Sequence, residues 1–281
     1  MHQHHLVFQR ITRVIAQSVA ALSVTFSILI TPLEAQSQTP PLAGIAHVAI
    51  RVHDLAVARD FYAKLGFQEA FNLAKDGVVY ESFIKINDHQ FIELYPVTAK
   101  DPKVGFLHLC FEGDDLNAIH DDYVSRGLTP TPVRKAGAGN LLFTMVGPEQ
   151  QNIEYTQYMP GSLHSNDRGK HLGEDRVADR MVSVSLGMQD TTAARDFYVK
   201  QLIFKPIAGD AMFLYLPGNS GQKVEIAPAS LGARARIILD AKSVSEADRL
   251  LQRQRITAAK VKDSLSVTDP DGNIILIEAR R

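Results

Sequence analysis

The chain has 281 residues, 45% of them hydrophobic, and a formal net charge of −1. That length builds one large domain or two of ordinary size. Balanced charge without a basic block or basic-aromatic stripe argues against a nucleic-acid partner, and the single cysteine, Cys110, excludes an intramolecular disulfide.

The N-terminus differs in kind from the rest of the chain. "MHQHHLVFQRITR" is cationic, "VIAQSVAALSVTFSILI" runs apolar from Val14 to Ile30, and "TPLEAQSQTPP" comes next. A basic start, an apolar centre and a small residue at the end describe an export signal cleaved after Ala35. The competing reading is an uncleaved membrane anchor. The apolar run, of roughly 17 residues and diluted by Gln17 and two serines, is short for a bilayer about 30 Å thick. Residues 1–35 therefore read as a signal peptide and 36–43 as a short linker. The expected location is periplasmic or secreted, with no stable membrane anchor once the signal is cleaved.

From Gly44 the elements share a plan. "GIAHVAIRV" reads as a buried strand, Asp54 as the N-cap of a helix through "ARDFY", and Gly66 as its left-handed stop. "GVVYESFIKI" and "HQFIELYPV" come next as strands. The plan repeats at "FLHLCFEGDDLNAIHDDYVSRGL", with Asp114 and Gly127 at the helix ends, and closes on the strand-like "NLLFTMV" and "NIEYTQY". Polar, Gly-containing residues 159–179 read as a linker. Beyond it, "QDTTAARDFYVKQLIFKP" answers "HDLAVARDFYAKLGFQEA", "VEIAPAS" answers "FIELYPVT", and "SLSVTDPDGNIILIEAR" forms a last hairpin. The chain thus reads as four βαβββ units, the first pair over 44–158 and the second over 180–281.

Four such units in two pairs, with "HVAIRVHDL" openings and a "DPDGN" hairpin, resemble the vicinal oxygen chelate superfamily. It includes glyoxalase I, methylmalonyl-CoA epimerase, extradiol dioxygenases, and the fosfomycin and bleomycin resistance proteins. The resemblance implies an α+β fold in which each pair makes a half-open curved mixed sheet. Helices lie on the outer face, and the concave face holds a divalent metal.

Strand alternation puts His47, Ala49 and Arg51 on one face and the aliphatic residues on the other. The same logic groups His108 with Cys110, Glu93 with Tyr95, and Glu154 with Tyr158. Two carboxylates on one partly dry surface repel each other and lose hydration. A divalent cation removes that penalty, and neutral imidazoles complete a mixed N/O shell. His47, Glu93, His108 and Glu154 match the ligand positions of glyoxalase I, and the resemblance implies proton transfer at Glu154. Glu93 has a second reading as a structural residue, because its counterpart Glu225 persists in the second pair. The other counterparts there, Ser183, Arg236 and Leu276, cannot hold a metal, so the second pair is degenerate. Arg51, Tyr95 and Tyr158 are candidate substrate contacts, and Cys110 reads as a small packing residue.

These readings combine into one expectation: a lyase or isomerase of glyoxalase type with one divalent metal per chain (zinc, nickel, cobalt, manganese or iron). It acts on a small oxygenated metabolite, and a homodimer is left open. An Fe(II) extradiol-type dioxygenase using His47, His108 and Glu154, and a non-catalytic small-molecule-binding protein of the resistance type, are the alternatives.

Overall fold

The computed structural model describes residues 39–231 and 234–280; the segment read as an export signal lies outside them. The first half supplies β1 (Gly44–Val52), β2 (Glu69–Lys75), β3 (Val78–Asn87), β4 (Gln90–Pro96), β5 (Gly105–Glu112), β6 (Arg134–Lys135), β7 (Leu141–Val146) and β8 (Asn152–Gln157). They form one eight-stranded sheet in the order β2-β3-β4-β1-β5-β8-β7-β6. The second half supplies β9 (Arg180–Met188), β10 (Lys205–Ile207), β11 (Asp210–Tyr215), β12 (Lys223–Pro228), β13 (Arg236–Ala241), β14 (Ala258–Val261), β15 (Ser264–Thr268) and β16 (Ile274–Ala279). Their order, β10-β11-β12-β9-β13-β16-β15-β14, repeats the first. The helices are α1 (Leu55–Lys64), α2 (Leu116–Ser125), α3 (Leu163–Asn166), α4 (Thr191–Asp196) and α5 (Val244–Arg253). Two mixed sheets with few helices make the α+β fold that the repeats predict.

Each helix is placed by its apolar stripe and its cap. On α1, Ala58 and Tyr62 are one turn apart and buried, and the Asp54 carboxylate accepts from the Ala56 and Val57 amides. On α2, Leu116, Ile119 and Tyr123 are buried, but the cap is Asp115, which accepts from the Ala118 amide, and not Asp114. With two adjacent aspartates the motif does not say which one turns inward. Gly66 adopts φ +87°, and a Cβ there would lie 1.9 Å from the carbonyl oxygen of Asp175. The second "ARDFY" helix carries one extra residue before its closing Phe ("VKQLIF" against "AKLGF"). The structure absorbs it in a π turn over Phe197–Gln201, and Ile203 takes a left-handed φ of 60° near the place of Gly66.

A single apolar core runs through both halves, bridged by Phe111 against Phe204 at 5.5 Å. Several polar contacts between the halves come in matched pairs. Gln90 donates to the carbonyls of Ile45 and Met181 and accepts from the Met181 amide; Gln222 accepts from the Ile45 amide and donates to the Met181 carbonyl. The Tyr62 hydroxyl donates to Asp269 in the last hairpin of the second half, and the Tyr198 hydroxyl donates to Gln151 in that of the first. Asp271 accepts from the His53 amide, while Glu149 accepts from those of Gln189 and Asp190. The repeated "ARDFY" is therefore a clasp, its tyrosine holding the opposite half. Among the described residues no helix is long and apolar enough to cross a membrane.

Candidate metal centre

The site grows from the register of four neighbouring strands, β4, β1, β5 and β8. His47 on β1 lies opposite Cys110 on β5, and Cys110 lies beside Glu154 on β8. One step along, Glu93 on β4, Ala49 and His108 form a second row. Both rows project from the concave face, because side chains two apart on a strand share a side. Register shifts flank His47 and Ala49 in the β1–β5 pair, and bulges of this kind re-aim side chains.

The four expected ligands converge. His47 Nε2 is 3.1 Å from His108 Nε2 and 3.5 Å from Glu154 Oε1. His47 Nδ1 is 3.1 Å from Glu93 Oε1, and His108 Nε2 is 4.0 Å from Glu93 Oε2. His47, Glu93 and His108 are buried. Burial, reinforced by His108 and His164, holds His47 well below the usual imidazole range, and burial takes His108 down to about 4. Burial first, then the Glu81 and Glu154 charges, push Glu93 well up, and burial pushes Glu154 up to about 7. Neutral imidazoles beside carboxylates that resist ionisation are what a cation would correct.

The donor set fits a divalent ion. His47 Nδ1 is buried and, among the described residues, makes no hydrogen bond despite its closeness to Glu93. Two nitrogens of one tetrahedral ion lie about 3.4 Å apart, given metal–nitrogen bonds of about 2.1 Å, near the observed separation of the imidazoles. Two triads bring their donor atoms within 4.8 Å of one another, His47–Glu93–His108 and His47–Cys110–Glu154.

Around these residues lies a cavity of about 200 Å³ lined by Glu81, Tyr95, Arg134, Asn140, Tyr158 and His164, among others. The Tyr95 hydroxyl donates its proton to Glu81 Oε1 at 2.6 Å and lies 3.2 Å from Glu93 Oε2, between the two carboxyl groups. The Tyr158 hydroxyl donates to the His89 carbonyl, leaving its ring to line the wall. Arg51 is not brought to the cavity. Its guanidinium turns to Asp101 at 3.8 Å, because the strand end places it beside the loop after β4. Four lining residues escape a reading of the sequence alone. Glu81 shares a face with Phe83 and Lys85 on β3, so alternation is the signal that finds it. Arg134, in the two-residue strand β6, and Asn140, just before β7, flank a Gly-containing turn too short to carry a period.

His164, the fourth, comes from the segment read as a linker. Residues 159–171 contribute the one-turn helix α3 and reach the first cup. Lys85, fully buried, donates to the Asp167 carbonyl at 2.6 Å and meets carboxylate oxygens of Asp167 and Asp88 at 2.8 Å each. The Leu163 amide donates to the Ala138 carbonyl. The cavity is thus walled by this strap, and among the described residues none of the second half lines it.

The counterparts in the second sheet are fixed by register. Ser183 lies opposite Ile238, Arg236 lies opposite Ser185, and Leu276 lies beside Ile238. Arg236 stands 3.3 Å from Glu225, and Ser185 also bonds that carboxylate. A guanidinium occupies the place of His108 and neutralises the remaining glutamate.

The fold is of vicinal oxygen chelate type, with the donor cluster on the concave face of its first half. Residues 46–144 match the model of the family described as the glyoxalase/bleomycin resistance protein/dioxygenase superfamily. The Mn(II)-bound glyoxalase from Novosphingobium aromaticivorans is similar at TM-score 0.64 and 15% identity, covering 85% of this chain and 82% of that one. The 2,3-dioxygenase LapB from Pseudomonas sp. KL28 is similar at TM-score 0.63 and 15% identity, covering 86% and 93%. A catechol 2,3-dioxygenase gives 0.64 and 14%, covering 85% and 88%. These likenesses concern the fold. No curated protein matches the chain.

Proposed function

We propose that this protein is a metal-dependent lyase or isomerase of glyoxalase type, moving a proton on a small oxygenated metabolite in the cell envelope. The observation that carries it is the convergence of His47, His108, Glu93 and Glu154 beside a cavity in the first half alone. When bound there, a divalent ion supplies Lewis acidity, polarising a substrate oxygen and lowering the cost of charge that develops beside it.

The chain's own residues do the rest. Glu154 lines the cavity and is the less buried of the two carboxylates, with its side chain 14% exposed against 5% for Glu93. It takes the proton from the substrate carbon and returns it. Glu93, placed by Tyr95, lies 3.1 Å from His47 Nδ1, at the ring nitrogen opposite the one that faces His108 and Glu154. Where the strap and Phe83, which wall the cavity, keep water out, every charge interaction inside is strengthened.

One observation favours a second reading. His47 Nε2 faces His108 Nε2 and Glu154, while Glu93 meets His47 at its other nitrogen. Two histidines and one carboxylate with open positions are the set of non-haem Fe(II) oxygenases, so an extradiol-type dioxygenase is the alternative.

Metal identity separates the two readings. The chain is purified without chelator and its metals are quantified by mass spectrometry. Zinc, nickel, cobalt or manganese supports proton transfer, and iron with oxygen uptake on catechols supports ring cleavage. No metal after reconstitution with each ion overturns both and leaves a binding protein. The envelope location is tested by fractionation, in which recovery of the mature chain with the cytoplasmic fraction would contradict it.

A further inference from the structure

His164 is the residue of the site that neither its segment nor its counterparts explain. Its ring is buried in a box of aromatic rings. Tyr158 stacks on it at 4.6 Å with an interplanar angle of 15°, and Phe71, Phe83 and Phe91 meet it nearly at right angles, 4.8, 5.2 and 4.8 Å away. Its Nδ1 is 2.8 Å from Asn140 Nδ2. The amide is turned by its other end, because Asn140 Oδ1 accepts from the Met159 amide. The Asn140 nitrogen is therefore the donor, His164 Nδ1 the acceptor, and the ring proton resides on Nε2.

That Nε2–H is buried and has no hydrogen-bond partner among the described residues. Leaving a buried donor unpaired is unfavourable, and native structures do it where function supplies the partner. His164 lines the same cavity as His47, Glu93 and Glu154. Burial, and then the Lys85 charge, bring its pKa down to about 3, so it stays neutral and cannot itself shuttle protons near neutral pH. A neutral N–H among aromatic walls suits an uncharged oxygen on a flat apolar body.

We propose that His164 is a specificity-determining residue that donates from Nε2 to a carbonyl or hydroxyl oxygen of the bound molecule, one other than the oxygens offered to the ion. The substrate is then a compact, flat oxygenated compound carrying that additional acceptor. This rests on the metal-centred reading above. It assigns the strap between the halves a part in recognition that a linker would not have.

The test uses the full chain loaded with zinc and two probes of nearly equal shape. 3,4-Dihydroxyacetophenone carries a ketone oxygen that 4-ethylcatechol lacks. Dissociation constants are measured anaerobically for wild type and His164→Phe, with zinc content determined on each sample. Nitrogen-15 NMR of the wild type reports the imidazole tautomer without any substitution. The expected result is a preference for the ketone of about tenfold in wild type. The preference disappears in His164→Phe at unchanged zinc content, and His164 shows the Nε2–H tautomer with a resonance that moves when the ketone binds. Equal preference in the two proteins, or an Nδ1–H tautomer, overturns the proposal. Failure of wild type to hold zinc overturns the metal-centred reading instead, and the tautomer on that sample still decides whether His164 presents a donor.

Discussion

The strap over residues 159–171 depends on a buried charge, and removing its partner is the sharpest perturbation of the wall. Lys85 has no exposed side-chain surface, and its ammonium is met by the Asp167 carbonyl, the Asp167 carboxylate and Asp88. Asp167→Ala deletes the better buried of the two carboxylates; Asp88 is 34% exposed. Breaking a buried pair on one side costs about 3–5 kcal/mol, because the remaining charge stays desolvated. With Asp88 and one carbonyl still present, the lower end applies, about 3 kcal/mol. For a folded region of this size each kcal/mol shifts Tm by about 2–4 °C, so Asp167→Ala should melt roughly 6–12 °C below wild type by circular dichroism. Trypsin should cut faster at Arg168 and Lys170, since the strap loses its anchor. The paired replacement Lys85→Met with Asp167→Leu should recover to within about 1 kcal/mol of wild type, as isosteric apolar pairs commonly do. A single variant within about 0.5 kcal/mol of wild type, with unchanged proteolysis, would refute the reasoning.

The same geometry sets three further outcomes. The His164 pKa is depressed in the folded state, so the unfolded chain binds more protons and stability is lost as pH falls below about 6.5. Wild type should therefore lose about 2 kcal/mol relative to His164→Phe between pH 6.5 and pH 5, read from urea midpoints; parallel curves would contradict the neutral, buried ring. Tyr62→Phe and Tyr198→Phe each remove one clasp hydrogen bond between the halves and should each cost about 1 kcal/mol in thermal unfolding. Arg236→Ala strips Glu225 of its cation and should destabilise by about 2 kcal/mol with no change in bound metal, measured by calorimetry and mass spectrometry together.

Most of the fold is legible because it is written twice. Alternation along "IAHVAIRV" and "FLHLCFE" separates helix-facing aliphatics from the cup-facing histidines, and the repeated "ARDFY" announces the halves. The places where reading stops have physical causes. Whether Asp114 or Asp115 caps α2 depends on a backbone angle that composition does not encode. The π turn of the second copy comes from one inserted residue, visible when the copies are set side by side but silent about where the helix widens. Arg51 shares a strand face with His47, yet a long side chain at a strand end reaches for the nearest carboxylate, here Asp101. His164 lies in a polar segment with Gly161 and Gly169 and no period. Its approach to the cavity is set by Lys85, whose partner Asp167 lies 82 positions further along the chain, and no local pattern links the two.

The most direct test of the account is the number and location of bound metal ions. Metal per chain is measured in wild type, in the His47→Ala and His108→Ala double variant, and in Glu225→Ala. One ion per chain in wild type and in Glu225→Ala, with none in the double variant, is what the geometry of the first half predicts. Metal that persists in the double variant, or that leaves with Glu225, would place the centre elsewhere and contradict it.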